Sequence, residues 1–160
     1  MPLDHPTVTR VTEALRHAGV RGEPIALSDA APTAATAAAQ IGCDVAAIAN
    51  SLVFDADGEP LLVLASGGHR VDTTKVAADI GATKVRRADP DFVRTHTGMA
   101  IGGVAPVGHP RQIPTLVDVW LKRFDVVWAA AGHPHTVFPT SFDELVRITG
   151  GTPAEVTPTP

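Results

Sequence analysis

Apolar positions recur along this chain first at helical and then at strand spacing. Val8, Val11, Leu15 and Ala18 return every three or four residues between about His5 and Gly19, which predicts an amphipathic helix stopped at the glycine. Ile25-Ala26-Leu27 reads as a short strand. Ala34 to Gln40, entered through Pro32-Thr33 and closed by Gly42, is dominated by alanine, the best helix former; side chains this small let a helix lie close against a sheet. Asp44 is placed to cap a further turn through Ala49.

The pattern then changes period. Ser51-Leu52-Val53-Phe54 and Leu61-Leu62-Val63-Leu64-Ala65 flank Asp57-Gly58, an aspartate-glycine pair that predicts a β-hairpin. The runs are almost wholly apolar, so both strands are expected to be central and covered. Asp72 caps a helix bearing Val76 and Ile80, with Gly81 as its stop, and Lys84 to Arg87 forms a short edge-like strand. Asp89-Pro90 has the order of cap and first helical residue, with Phe92 and Val93 inward. Thr115–Val119, Asp125–Ala129 and Val137-Phe138 are further strands. Ser141-x-x-Glu144 has the form of a capping box ahead of a last amphipathic helix bearing Phe142, Leu145, Val146 and Ile148, ended by Gly150-Gly151. Helices and strands mix without strict βαβ alternation. The expectation is a single α+β domain over residues 1–151 and a frayed, proline-rich tail over 152–160.

Composition narrows the class. The 160 residues are 44% hydrophobic and 19% charged, which suits one globular domain with a proper core. A net charge of −4 argues against nucleic-acid binding by bulk electrostatics, yet leaves room for a local basic patch gripping an RNA end. Cys43 is the only cysteine and follows Gly42 in an apolar neighbourhood, where it reads as a buried structural thiol in a reducing, cytoplasmic setting. No apolar run is long enough to span a bilayer, and the expectation is a soluble protein.

The stretch Gly102-Gly103-Val104-Ala105-Pro106-Val107-Gly108 can be neither regular helix nor central strand. It reads either as a plain turn or as a loop that brings main-chain N–H and C=O groups against a ligand. The glycines at 98, 102, 103 and 108 form no dinucleotide fingerprint, no Walker-type Gly-Lys-Ser/Thr follows, and no Gly-x-Ser-x-Gly elbow supplies a nucleophile. Nothing here calls for a cofactor. His133-Pro134-His135 raises a metal site as a minor alternative, although no Cys-x-x-Cys or His-Glu-x-x-His accompanies it. Basic residues fall into local groups: Arg70 with Lys75, Lys84 with Arg86 and Arg87, and the pair Lys122-Arg123.

Several segments in order carry a resemblance. They are Ile48 to Phe54, Arg70 to Val76, Ala88-Asp89-Pro90, Thr97-Gly98, Gly102 to Gly108, Pro114 to Asp118 and Ala130-Ala131-Gly132. Over roughly residues 25–149 this succession resembles the YbaK-type family, the editing domains associated with prolyl-tRNA synthetase and their free-standing relatives. The resemblance implies a mixed, mostly antiparallel sheet, partly closed into a barrel with helices around it. It implies hydrolysis in trans of the ester joining a wrong amino acid to the 3′ end of a tRNA, by water that the substrate's own ribose hydroxyl assists. The partners implied are the acceptor end of a mischarged tRNA and a synthetase, and family members of this size are commonly monomeric. The loop from Gly102 through Gly103 to Pro106 is then the pocket wall, with its backbone groups supplying electrostatic stabilisation. Asn50, Ser51, Thr97, Gly98, Pro106, Ala130, Ala131 and Gly132 are the implied substrate contacts.

One position departs from the family. Its lysine directly before the Ser/Thr-Leu strand is here Asn50, which hydrogen-bonds but carries no charge. Either another basic residue takes the phosphate, with Arg70 and Lys75 as candidates, or the substrate has changed, or the chain binds without hydrolysing. Ala130 or Ala131, apolar where some relatives have serine, points to a small and poorly polar amino acid.

Overall fold

The sheet grows outward from the predicted hairpin. In the computed structural model, which describes residues 2–158, β2 (Ile48–Ala56) and β3 (Glu59–Ser66) pair antiparallel from Ala49↔Ser66 to Ala56↔Glu59. Asp57 and Gly58 both take positive φ, 51° and 92°, the backbone of a two-residue turn whose twist matches the strands. The Asp57 carboxylate accepts the amides of Thr83 and Lys84 at 2.8 and 2.9 Å, and these bonds hold its pKa below the ordinary carboxylate value. The same bonds dock β4 (Val85–Arg87) beside β2, antiparallel through Phe54↔Arg87.

Around the hairpin stand β1 (Ile25–Ala26), β5 (Thr115–Asp118), β6 (Val127–Ala130), β7 (Thr136–Thr140) and β8 (Thr152–Ala154). The eight strands run β1-β7-β6-β2-β3-β5-β8 with β4 on β2, in mixed parallel and antiparallel pairings. Five α-helices complete the α+β domain: α1 (Pro6–His17), α2 (Ala34–Ile41), α3 (Thr73–Ile80), α4 (Pro90–Thr97) and α5 (Phe142–Thr149). Strand alternation divides the core between two faces. Ala49, Val53, Leu62 and Leu64 join Val11 and Leu15 of α1, Val93 of α4 and Leu145 of α5 in the larger cluster. Phe54, Leu61, Val63 and Ala65 pack against Val76 and Ala77 of α3. A third, alanine-rich cluster seats α2 on Ile48 and Trp128. No helix is long and apolar enough to cross a membrane among the described residues.

Most elements stand where the apolar pattern puts them, with local differences. The turn capped by Asp44 ends at Ala47, and β2 already begins at Ile48. The strand expected at 125–129 starts at Val127, and Ile80 is exposed rather than inward. Ser141 caps α5 through the Glu144 amide, but the Glu144 carboxylate turns to the Thr140 hydroxyl at 2.8 Å, so the box is half made. The complete box sits on α2, between Thr33 and Thr36. The tail is the largest correction. Residues 152–154 pair parallel with β5, Val156 is fully buried (0% exposed), and its carbonyl accepts the Asp72 amide. The expectation of a frayed tail over 152–160 follows from its three prolines and little apolar surface, and the burial of the lone Val156 outweighs both; residues 159–160 lie outside the described residues.

Candidate active site

The pocket opens where β2 loses a neighbour. β3 occupies one edge of β2 along its length, so β6 and β4 share the other. β6 pairs there in parallel at Ile48 and Ala49, and β4 only from Phe54. Between them, Asn50–Leu52 pair with no strand on that edge among the described residues. Into the gap come Ala34 and Ala37 of α2, Pro32 and Thr33 before it, Gly102 and Val104 from the glycine loop, and Thr136 and Val137 of β7. The cavity is small, about 30 Å³, and partly open to solvent. Asn50, Ser51, Ala129 and Ala130 are part of its wall.

Positive φ (90°) at Gly102 lets the loop turn against Pro32, whose Cα would stand 3.1 Å from any added Cβ. The Gly102 amide makes no hydrogen bond among the described residues, so it remains available to a ligand. Gly103 is differently placed. Its amide donates to the Ala100 carbonyl at 3.0 Å, and a Cβ there would lie 2.8 Å from the His133 carbonyl carbon. Gly103 therefore sets the close approach of the loop to the β6–β7 turn and does not line the pocket. Ser51 contributes the one buried side-chain polar atom without a partner among the described residues, its Oγ. Native interiors seldom leave such a group unpaired, and this one belongs to a residue of the pocket wall.

The other predicted residues hold the walls from behind. The Thr97 hydroxyl, fully buried, donates to Val93 O and accepts the Met99 amide, tying the end of α4 to the start of the loop; Gly98 is the α4 cap, beside Arg10. Pro106 is buried and faces a separate hollow with His109 and Arg111. There the His109 imidazole donates from Nε2 to Ala105 O at 2.7 Å, and burial pushes its pKa below the ordinary histidine value. Ala131 is buried in the core, and the Gly132 carbonyl accepts the Thr7 hydroxyl at 2.7 Å, which docks α1 on the β6–β7 turn. Lys75 donates to the Thr157 carbonyl at 3.2 Å and so is spent on the tail. Arg70 instead lines a groove that adjoins the pocket at Asn50.

Two arrangements escape sequence reasoning. His69 and Asp118 lie 49 residues apart and meet at 2.7 Å, Nδ1 to Oδ2. Arg87, distant from Arg70 in sequence, lines the same groove. Only the strand register brings them together, and no local motif announces it. His5, His133 and His135 also gather, with ring centroids 5.2 and 5.4 Å apart. Partial burial and the two neighbouring imidazoles lower the His133 pKa. Among the described residues, no group of three or more His, Cys, Asp or Glu is placed to hold a metal ion.

Asn50, Ser51, Thr33 and Thr136 are the polar side chains of the pocket wall, and no acid, base or thiol is among them. Such a site can orient a substrate, exclude bulk water and present amides to a developing negative charge, but it has no side chain to carry a proton.

Comparison with known proteins gives this geometry its context. The model of the aminoacyl-tRNA editing domain family matches residues 28–148. The uncharacterized protein YwhH of Bacillus subtilis is 35% identical over 114 residues, 71% of this chain and 72% of that protein. A proline–tRNA ligase of Levilactobacillus brevis is 31% identical over 87 residues, which span 54% of this chain but only 15% of the ligase. A crystal structure presented as a candidate trans-editing enzyme for prolyl tRNA synthetase superposes with a TM-score of 0.90 at 36% identity, covering 97% of this chain and 99% of that one. Family model, sequence relatives and fold agree, and the chain belongs to the aminoacyl-tRNA editing domain family.

Proposed function

We propose that this chain is a trans-acting deacylase that hydrolyses the ester of a mischarged tRNA carrying a small amino acid. The observation that carries the reading is the alanine-walled pocket at the free edge of β2, with the unpartnered Ser51 hydroxyl in its wall. Ala34, Ala37, Ala129 and Ala130 leave a narrow, poorly polar space, suited to a short aliphatic side chain. Ser51 offers a hydrogen bond to the amino group or ribose. Gly102 offers its amide to the ester oxygen as water adds to the carbonyl carbon. The C–O bond to the ribose then breaks, the ribose oxygen takes a proton, and the amino acid and free tRNA end are released. With no titratable side chain in the wall, the proton lost by the attacking water is relayed through the neighbouring ribose hydroxyl or solvent to the leaving ribose oxygen.

A panel of mischarged tRNAs tests this. At least one small-amino-acid ester should lose its acyl group faster than in buffer, and no acceleration across the panel at high protein concentration would sink the reading. If Asn50 is a weakened phosphate contact, Asn50→Lys raises the rate, because an ion-assisted bond is worth about 1.5–3 kcal/mol. A lower rate would give asparagine its own role. Asn50 also favours a second reading, a module that binds the aminoacyl end without cleaving it. Saturable binding of a non-hydrolysable acceptor analogue with no turnover of any ester would support that one.

A further inference from the structure

On the far side of Asn50 from the pocket runs a groove along one face of β2. Asn50, Leu52 and Phe54 form its floor, two residues apart and all on the same side of the strand, over about 13 Å at the usual rise. Its rim carries His69, Arg70 and Arg87, and no carboxylate lines it, in a chain of net charge −4. The acids nearest in sequence are spent elsewhere: Asp72 accepts the Thr74 and Lys75 amides, and Asp55 pairs with Arg86 at 3.3 Å. Arg70 and Arg87 are exposed and make no ion pair among the described residues. Two arginines held without acidic partners beside an open groove form a local anion site.

His69 is held more firmly than a rim residue needs to be. Asp118, only 2% exposed, accepts the Ser66 amide and His69 Nδ1 on Oδ2 and the Trp120 amide on Oδ1. The Trp120 ring packs on the imidazole at 5.0 Å, and the Arg123 guanidinium lies 3.4 Å from the centre of that indole. A carboxylate only accepts, so Nδ1 carries the proton. Nε2 makes no hydrogen bond among the described residues and is left to a ligand. A ribose 2′-hydroxyl, which both donates and accepts, matches it and is the group that separates RNA from DNA.

We propose that this groove seats the single-stranded 3′ end of the RNA that leads to the pocket, with Arg70 and Arg87 on its phosphates and His69 Nε2 on a ribose 2′-hydroxyl. Asn50 lines both cavities and stands at the step from nucleotide to aminoacyl group. The inference rests on the deacylase reading for the identity of the RNA but not for its test, which uses an uncharged ligand. Affinity is measured for an uncharged acceptor-stem RNA hairpin with its 3′ overhang, for the same hairpin without the overhang, and for one with a 2′-deoxy overhang.

Arg70→Ala and Arg87→Ala should each weaken binding of the overhang RNA about tenfold and lower the salt slope by about 0.7. Arg86→Ala, already paired to Asp55, should change neither. The 2′-deoxy overhang should bind the parent protein less tightly than the ribose overhang does, and the two overhangs should bind His69→Ala equally. Unchanged affinity and salt slope in both groove arginine variants overturn the proposal, as does equal weakening for the hairpin without an overhang. Groove-dependent RNA binding by a protein that deacylates no mischarged tRNA supports the groove and refutes the deacylase reading instead.

Discussion

Replacing Ser51 by alanine should move stability and activity in opposite directions. The Oγ is buried and unpaired, and a hydroxyl in that state costs about 1–3 kcal/mol relative to one hydrogen-bonded to water. Alanine removes the unpaired group and takes away one small atom's worth of packing. The expected net gain is about 1 kcal/mol, which for a domain of this size raises Tm by about 2–4 °C. In the complex the same hydroxyl supplies a hydrogen bond worth about 0.5–1.5 kcal/mol, so the deacylation rate at low substrate should fall about two- to tenfold. Calorimetric or circular-dichroism melting gives the first quantity, and single-turnover deacylation of a sensitive tRNA ester gives the second. A variant that melts several degrees lower would show that Oγ is hydrogen-bonded in the folded protein. One that melts higher yet deacylates at the parent rate would remove Ser51 from the site.

Gly103→Ala should lower the urea midpoint by an amount equivalent to about 1–3 kcal/mol, because its Cβ meets the His133 backbone at 2.8 Å and one of the two segments must move; an unchanged midpoint would mean that the loop floats free of the β6–β7 turn. Val156→Ala removes about two buried methylene equivalents, or about 1.6 kcal/mol, and should lower Tm by several degrees, whereas a frayed tail would predict no change. Acid should destabilise the fold partly through His109. Its folded pKa lies below the ordinary 6.5, so the unfolded chain binds a proton that the folded chain refuses, and this contribution is intact above pH 6.5 and lost as pH falls through the depressed value. His109→Gln should flatten the loss of urea stability as pH falls below about 6.5, leaving the slope due to His133, whose pKa is shifted the same way; an identical pH profile in parent and variant would refute the assignment.

What the sequence discloses is what short-range chemistry decides. Asp57-Gly58 specifies its turn, Asp72 and Asp89 cap α3 and α4, and the alanines of α2 lie against the sheet as their size suggests. What it hides depends on pairing over long separations. Thr97 and Gly98 sit in a segment typical of the family site, yet a buried threonine serves the loop's internal bonds and the glycine ends a helix. Lys75 and Arg70 look equivalent as cations five positions apart, until the β8 tail claims one and leaves the other at the groove. Gly102 and Gly103 look interchangeable, but only the backbone path shows that one amide is free and the other is used.

The hairpin turn has a reach beyond its own loop. Successive residues of a strand face opposite ways, so Ser51 meets the pocket and Leu52 the groove only in the register that Asp57-Gly58 imposes some 20 Å away. A single residue gained or lost at that turn would leave both strands their apolar composition while pressing their side chains toward the wrong sides. The hydroxyl would then face the groove, and a leucine would fill the pocket. For this chain the length of a distant two-residue loop thus decides which side chains line the pocket, and natural variation in loop length at 57–58 should be far rarer than variation in residue type.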